Sequence, residues 1–217
     1  MRPLNNFYKS LIPLVALMAT QFSLTAQTLK DVFTNSETPV FYYGIDFTKA
    51  KVIDDDKTNA LDIRDKQFEG INDLIISQSD KFDLRSAFNR TMDHDLSSVE
   101  KRNAKVNVEE IKSTNSADYH RLKDTDIGAI IKGIDAGSNK KGVGLVFVVE
   151  AMSKSEKHIA VWVTLFDPKS KKVLMTERIE GKAGGIGFRN YWAAGIKDVI
   201  TEIKKSKYSE WKTKYGS

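Results

Sequence analysis

The strongest hydrophobic pattern in the chain runs from Gly142 to Lys205 and predicts three strands followed by a helix. Residues 145–149 are apolar without interruption, which is typical of a strand covered on both faces of a sheet. A second apolar run, 159–166, leads to a third strand at 173–176 through a hairpin turn, in which Pro168 presets the backbone φ. The apolar residues of the segment that follows have the spacing of one helix face: Phe188, Trp192, Ile196, Val199, Ile200 and Ile203.

The first half of the chain alternates between predicted strands and predicted helices. Residues 40–47 place aromatic and apolar side chains at every second position, which favours a strand. Helical spacing predicts one helix over 59–77, a shorter one over 82–92 and a third over 124–134. Residues 106–111 have the composition of an edge strand.

The sequence also predicts the placement of Asp46 in the first strand and the N-cap residue of the third helix. Asp46 lies on the opposite side of the first strand from its apolar residues, and we expect it at the exposed end of that strand. Asp124 or Thr125 is available to cap the free amides at the start of the third helix.

Helices interleaved with strands, followed by hairpin-linked strands, predict an α/β fold. We expect a two-layer sandwich with a mixed sheet, whose C-terminal three-stranded antiparallel meander is closed by the last helix. We expect one domain over residues 40–205, with an irregular lead-in at 27–39 and a basic C-terminal tail at 206–217.

Residues 1–26 have the parts of a secretory signal peptide. Arg2 and Lys9 make its beginning positive, residues 11–19 form an apolar core too short to span a bilayer, and Ala26 offers a cleavage site. We therefore predict an exported protein of the periplasm or cell envelope, with no transmembrane helix in the mature chain. The alternative is an ordinary N-terminal helix or a membrane anchor.

The charge balance and the lack of cysteine exclude several kinds of protein. The 217 residues include 34 Lys and Arg against 29 Asp and Glu, a net charge of +5 that falls to +3 without Arg2 and Lys9. This excess is too small and scattered for the concentrated basic face of a nucleic-acid-binding protein. Because there is no cysteine, disulfides, cysteine-bound metals and a lipidated N-terminal cysteine are excluded.

A glycine-rich corner at Gly181–Gly187, between the third strand and the last helix, is the most suggestive local feature. Such a corner can hold a phosphate on the free amides of a helix start. Its spacing matches neither a P-loop nor a dinucleotide-binding fingerprint, and the competing interpretation is that the glycines permit positive φ and close contact of helix and sheet. The candidate ligand-binding residues are Lys182, Gly184, Gly185, Gly187, Arg189, Asn190 and Tyr191.

Other candidate sites are weaker. The acidic runs Asp93-His94-Asp95 and Asp54-Asp55-Asp56 lack the spacing of zinc or calcium motifs, and solvated charge explains them. His120 and His158 have no nucleophile nearby in the sequence, and no Gly-x-Ser-x-Gly motif is present. We therefore predict no catalytic residue, no metal and no cofactor. Trp192 is expected in the core and Tyr191 at the surface, although the pair could instead line a groove.

The predicted order of elements from Val40 to Ile203 resembles that of two bacterial envelope domains. These are the amino-terminal domain of the Tol-system translocation protein and the periplasmic domain of the curli-secretion lipoprotein, which also place an early strand and helix before a meander closed by a helix. The block from Phe166 to Trp192, with Phe-Asp-Pro-Lys and then Gly-Lys-Ala-Gly-Gly-Ile-Gly-Phe-Arg-Asn-Tyr-Trp, resembles a motif of uncharacterised exported Bacteroidota proteins. Neither resemblance implies a catalytic residue. The curli-type proteins begin at a lipidated cysteine that is missing here, so anchoring and pore formation are not implied.

These observations favour a non-catalytic, exported interaction protein with an envelope protein as its partner, which it would meet through an exposed sheet edge or the groove beside Gly184–Trp192. The alternative is a protein or enzyme that binds a small anionic ligand of the phosphate type at the Gly181–Gly187 corner. A third hypothesis is peripheral membrane contact through the lysines of the C-terminal region. Those lysines are Lys204, Lys205, Lys207, Lys212 and Lys214.

Overall fold

The computed structural model describes residues 29–137 and 142–217, so the predicted signal peptide lies outside the described residues. The strands of this part of the chain are β1 (Val40–Asp46), β2 (Lys51–Ile53), β3 (Met92–His94), β4 (Lys112–Ser113), β5 (Val143–Ser153), β6 (His158–Phe166) and β7 (Val173–Lys182). Its helices are α1 (Ala60–Asp62, a π-helical turn at Ile63–Gln67, then Phe68–Ser77), α2 (Leu84–Ala87), α3 (Ser97–Asn103), α4 (Asp124–Lys132) and α5 (Phe188–Glu202, a π-helical turn at Ile203–Lys207, then Tyr208–Tyr215). The α/β fold class predicted from the sequence is confirmed.

All the described strands belong to one sheet, and β5 lies at its centre. Along one side of β5, β1 pairs with its first half and β2 with its last residues, both in parallel. The short strands β3 and β4 then pair in parallel with β1 and β2. On the other side, β6 pairs with β5 and β7 with β6, both antiparallel. The two margins of the sheet are therefore the short β3 and β4 on one side and the long β7 on the other.

Helices cover both faces of the sheet, which corrects the expected two-layer arrangement. Phe147 and Val149 of β5 face the larger apolar cluster, to which α1 and α5 contribute. Val146 and Val148 face a second cluster built on the isoleucines of α4. The continuous apolar run of β5 requires this arrangement, because alternate residues of a strand face opposite ways and both sets must leave water.

Two buried asparagines bind the backbone of β1 next to an irregularity in its pairing with β5. The pairing of these strands shifts register between Tyr42 and Ile45. Asn72 of α1 accepts a hydrogen bond from the Ile45 N–H at 2.7 Å and donates to the Ile45 carbonyl at 3.0 Å. Asn103 of α3 donates to the same carbonyl at 2.9 Å and accepts from the Phe47 N–H at 2.8 Å. The backbone N–H and carbonyl of Ile45 and the N–H of Phe47 are thus paired inside the core.

The prediction that Asp46 lies at an exposed strand end is wrong, since its side chain is fully buried. Its carboxylate accepts a hydrogen bond from Arg102 Nε of α3 at 2.8 Å and another from the Thr48 N–H at 2.9 Å. A buried carboxylate is tolerated only when it is paired and hydrogen-bonded, and Arg102 supplies the opposite charge from 56 residues further along the chain.

Two predicted elements have other conformations. The predicted helix over 82–92 is confined to α2, and the chain then enters strand β3. The predicted edge strand over 106–111 contains a 3-10 turn at Val108–Glu110, and pairing begins only at β4. Strands β3 and β4, of three and two residues, are too short to show alternation in a sequence, which explains why both strands were missed.

The predicted caps of α4 are also wrong. Neither Asp124 nor Thr125 is the N-cap residue, because the helix begins one residue after Lys123. The Asp126 carboxylate accepts a hydrogen bond from the Lys123 N–H at 2.8 Å and so closes the first turn from within.

The C-terminal residues, predicted to be a frayed basic tail, form the last turns of α5 and are part of the core. Trp211 is 2% exposed, and its indole Nε1 donates a hydrogen bond to Glu177 of β7 at 2.5 Å. Phe33 packs against Trp211 from a helical segment over 29–34, so the lead-in is not wholly irregular either. Both ends of the described part of the chain therefore contribute to the larger cluster.

Replacing Trp211 with alanine should lower the free energy of unfolding by about 3–5 kcal/mol, because it removes a large buried side chain and leaves a cavity. The neighbouring exposed residue provides the control, and Lys212→Ala should change that free energy by less than about 0.5 kcal/mol. Urea denaturation followed by circular dichroism measures both variants. Equal stability of the two would mean that this segment is a tail after all.

Candidate functional site

The corner after β7 owes its shape to glycine. Gly185 and Gly187 have φ values of 107° and 80°, which side chains rarely allow. Gly181 lies so close to Gly195 of α5 that a Cβ on it would collide with the Gly195 carbonyl oxygen. The structural interpretation of these glycines is therefore confirmed, since they allow a sharp turn and direct contact between helix and sheet.

Two backbone amides of this corner are hydrogen-bonded within the protein. The Gly184 N–H donates to the Tyr191 carbonyl at 3.1 Å, and the Lys182 N–H donates to the Asp198 carboxylate at 2.8 Å. Lys182, Gly184 and Asp198 line a shallow hollow together. Lys197 lines the hollow as well, so the charged groups of the hollow are two ammonium groups and one carboxylate, which repels an anion.

The other predicted ligand-binding residues lie elsewhere around the start of α5. The exposed Arg189 has its aliphatic stem against Gly70 of α1 and does not line the hollow beside Lys182. Asn190 is exposed on the first turn of α5. The half-buried ring of Tyr191 receives the Lys154 ammonium 3.4 Å from its centroid. The predicted residues are thus neighbours in the chain but do not converge on one point.

Trp192 is fully buried, as expected, and its ring meets that of Tyr191 edge-on at 4.9 Å. Partial burial lowers the pKa of Lys154, which lies over these rings. A cation held on an aromatic face is stabilised by the ring quadrupole, and this contact fastens the β5–β6 turn to α5. Tyr191 therefore has a structural partner instead of lining an open groove.

Strand β7 leaves one of its edges without a neighbouring strand in the part of the chain that the structure describes. The Ala183 N–H donates to the Lys157 carbonyl on the β6 side, whereas the Lys182 N–H points away from β6 to Asp198. Because the backbone groups of a strand alternate between its two edges, those of Thr176, Arg178 and Glu180 also point away from β6. This open edge, defined here as the outward backbone groups of Thr176–Glu180, is a template for another strand.

A buried charge network fixes the side chains along the open edge. Arg178 Nε donates to the fully buried Glu150 at 2.7 Å, and a second nitrogen of Arg178 donates to Glu180 at 2.5 Å. Glu150 also accepts hydrogen bonds from the Trp162 indole and from the Leu122 N–H. Burial alone would lower the pKa of Arg178, but the bonds to Glu180 and Glu150 outweigh it and raise that pKa. Arg178 and Glu180 are therefore held as fixed, opposite charges two positions apart.

Sequence reasoning missed this network. Glu150 directly follows the apolar run of β5, and its partner Arg178 lies 28 residues away on β7. The one signal for this network in the sequence is a charged residue directly after an apolar run that is typical of a buried strand, because a charge in such a place needs a partner.

The acidic runs of the sequence have structural roles. The Asp55 carboxylate accepts hydrogen bonds from the Lys57 and Thr58 N–H groups, and Asp95 accepts one from the Ser97 N–H at the start of α3. No three His, Asp or Glu side chains of the described residues are grouped closely enough to hold a metal ion.

Two of the five C-terminal lysines are paired with acidic side chains. Lys204 lies 3.4 Å from Asp83, and Lys207 bridges Glu177 and Glu210 at 3.0 and 2.9 Å. Hydrogen bonds to those two glutamates raise the pKa of Lys207. None of the described helices is both long and apolar enough to cross a bilayer.

Comparisons with known protein families, curated proteins and solved structures found no match. The assignment of a function therefore rests on the chain's own residues.

Substituting Gly181 with alanine should lower the free energy of unfolding by about 1–3 kcal/mol, because the new methyl group forces α5 away from β7. Gly184→Ala is the matched control, since a Cβ there meets no atom within 4 Å and its φ is not positive. Thermal unfolding compares the two. If Gly184→Ala is as destabilising as Gly181→Ala, close packing is not what requires glycine at position 181.

Proposed function

We propose that this chain is a non-catalytic, exported interaction protein of the bacterial cell envelope, and that it associates through the open edge of β7. The observation that carries the proposal is the outward backbone of Thr176–Glu180, which has no partner strand among the described residues. An exposed edge of this kind binds extended chain by main-chain hydrogen bonds. The resemblance in element order to envelope domains, and the signal-peptide pattern of residues 1–26, support the location.

The occupant that we propose for the edge is a second copy of β7, related by a two-fold axis at Ile179. In an antiparallel pair, the side chains of directly opposed residues lie on the same face of the sheet. Residues of one strand that share a face are an even number of positions apart, so the two-fold axis of a β7 pair must pass at a residue and not between two residues. With the two-fold axis at Ile179, Arg178 of each copy lies opposite Glu180 of the other copy. These are also the positions whose N–H groups point outward, as a hydrogen-bonded pair requires.

The neighbouring registers are less favourable. Centring on Arg178 or on Glu180 sets two like charges opposite each other, which destabilises a cross-strand pair. Centring on Glu177 sets Leu174 opposite Glu180 and again pairs two glutamates. The sequence of the strand thus selects one register, and symmetric dimers are the commonest protein assemblies.

The charges along this edge are pre-positioned. Because Glu150 already holds Arg178 in place, little side-chain freedom remains to be lost on association. Ile186, which is 91% exposed in the corner after β7, adds an apolar side chain four residues beyond the strand. We therefore propose that the interaction surface consists of the open edge and this corner.

The alternative functions receive less support. An anionic ligand at the glycine corner would meet the Asp198 carboxylate, and the amides of Lys182 and Gly184 are already hydrogen-bonded. Peripheral membrane contact would rely on lysines of which Lys204 and Lys207 are already paired with carboxylates.

The open edge can be tested by blocking one N–H. Glu180→Pro removes an outward donor and no bond to β6, so we expect a folded monomer, whereas the mature wild-type chain should sediment as a dimer at high concentration. Glu180→Gln keeps the N–H and loses only the charge, and its dimer should be intermediate in stability. Analytical ultracentrifugation over a dilution series measures all three.

Circular dichroism is the control that the proline variant remains folded. A wild-type chain that stays monomeric throughout the series would refute the dimer, as would a folded Glu180→Pro variant that still dimerises.

The location can be tested separately. The full-length chain with a C-terminal tag should be recovered from the envelope or periplasmic fraction, shortened at its N-terminus, as expected for cleavage near Ala26. Replacing residues 11–19 by polar residues should retain the protein in the cytoplasm. Cytoplasmic recovery of the unaltered chain at full length would contradict export.

A further inference from the structure

An open hollow of about 710 Å³ lies between the loop that joins β1 to β2, the end of α3 and the helix α4. Its volume falls in the range of small-molecule sites in proteins. Thr48 and Lys49 come from the loop, Arg102 and Lys105 from the end of α3 and the residues after it, and Arg121 from the segment before α4. Four of these five side chains are cationic, so positive charges from three separate parts of the chain border one hollow.

The charges of this hollow do not cancel one another. Arg102 is paired with the buried carboxylate at the end of β1. Lys49, Lys105 and Arg121 form no ion pair with any described residue. Asp126 is the one carboxylate among the described residues of the lining. Three positive charges without an ion pair therefore stand against one negative charge, which gives the hollow a net charge of +2.

The guanidinium of Arg121 is held in place and keeps one free donor. Its Nη2 donates a hydrogen bond to the Lys49 carbonyl, which fixes the group at the hollow. Its Nε is enclosed by the protein, whereas its Nη1 is not enclosed and has no hydrogen-bond partner among the described residues. A guanidinium that is already fixed loses little freedom when it binds an oxyanion, and its planar fork suits phosphate and carboxylate oxygens.

Apolar side chains adjoin the cations in the same hollow. They are Val106, Leu122, Ala129 and Ile130. Val106 and Ile130 belong to the core, whereas Leu122 is half-buried and Ala129 is exposed. An inorganic anion would leave these last two side chains in water. A molecule with an anionic group and an apolar body would use both parts of the lining, because its body would cover apolar surface.

We propose that this hollow binds a small organic phosphate monoester. A phosphate monoester has a charge of about −1.5 to −2 at pH 7, which matches the net charge of the hollow. Its oxygens accept a hydrogen bond from Arg121 Nη1 and are attracted by the ammonium groups of Lys49 and Lys105, while its organic part lies against Leu122 and Ala129. The site is separate from the glycine corner, because the two hollows share no lining residue.

Isothermal titration calorimetry of the mature wild-type protein with 1-naphthyl phosphate tests the proposal. 1-Naphthol lacks the charge and inorganic phosphate lacks the apolar body, so we expect each of them to bind about tenfold more weakly. Arg121→Gln should weaken the binding of 1-naphthyl phosphate about tenfold, and Lys105→Gln about threefold. Lys132→Gln is the matched control, since it removes the same charge from an exposed position of α4 outside the lining and should leave the affinity unchanged.

Asp126→Asn should strengthen binding about threefold, because it removes the opposing charge of the lining. Asparagine keeps an oxygen that can accept the hydrogen bond of the Lys123 N–H, and a gain in affinity cannot come from misfolding. The proposal is overturned if 1-naphthyl phosphate fails to bind the wild-type protein or if Asp126→Asn binds it no more tightly. It is equally overturned if Lys182→Gln, at the glycine corner, weakens binding as much as Arg121→Gln. Dimerisation does not affect these outcomes, because no residue of β7 lines the hollow.

Discussion

Everything else in the fold depends on the complete burial of β5. All eleven of its residues are buried, and it is paired along both edges. A strand in that position needs two neighbouring strands for its backbone and two apolar layers for its side chains. The chain meets the first need with β1 and β2 on one side and β6 on the other. It meets the second with α1 and α5 on one face and α4 on the opposite face.

Buried polar side chains stabilise the positions where the strand pairing is irregular or where a charge lies inside the core. Asn72 and Asn103 bind the backbone of β1 next to the irregularity in its pairing with β5, and they come from two helices that must be packed before the bonds can form. Asp46 and Glu150 are buried charges, each matched by an arginine from a distant element. Removing one member of such a pair is costlier than never having had the pair, because the remaining charge stays buried. These groups therefore define one arrangement of strands and helices among several that an apolar core alone would accept.

Much of the fold could be predicted because its long elements repeat a pattern. The apolar run of β5, the alternation of β1 and the helical spacing of α1, α4 and α5 are each visible over seven or more residues. Strands β3 and β4 span three and two residues and show no period. The burial of Asp46 and Trp211 depends on Arg102 and Phe33, which are remote in the sequence. Local reasoning therefore placed Asp46 at an exposed strand end and residues 206–217 in a tail.

Among the candidate surfaces, too, only the one that depends on local sequence could be predicted. The glycine corner could be predicted as a turn, because positive φ and close packing are properties of glycine itself. The open edge of β7 could not, because it is defined by the lack of an adjoining strand among the described residues. No motif encodes a missing neighbour.

The contact of Phe33 with residues 208–215 has a consequence for biosynthesis. Phe33 packs against Tyr208, Trp211 and Tyr215, and Arg90 binds the Val32 carbonyl while touching the Tyr208 hydroxyl. The first described turn therefore waits for the last residues to be made before it can dock. A nascent chain lacks this contact until residues 208–215 have left the ribosome, so the segment around Phe33 docks only after they have been made.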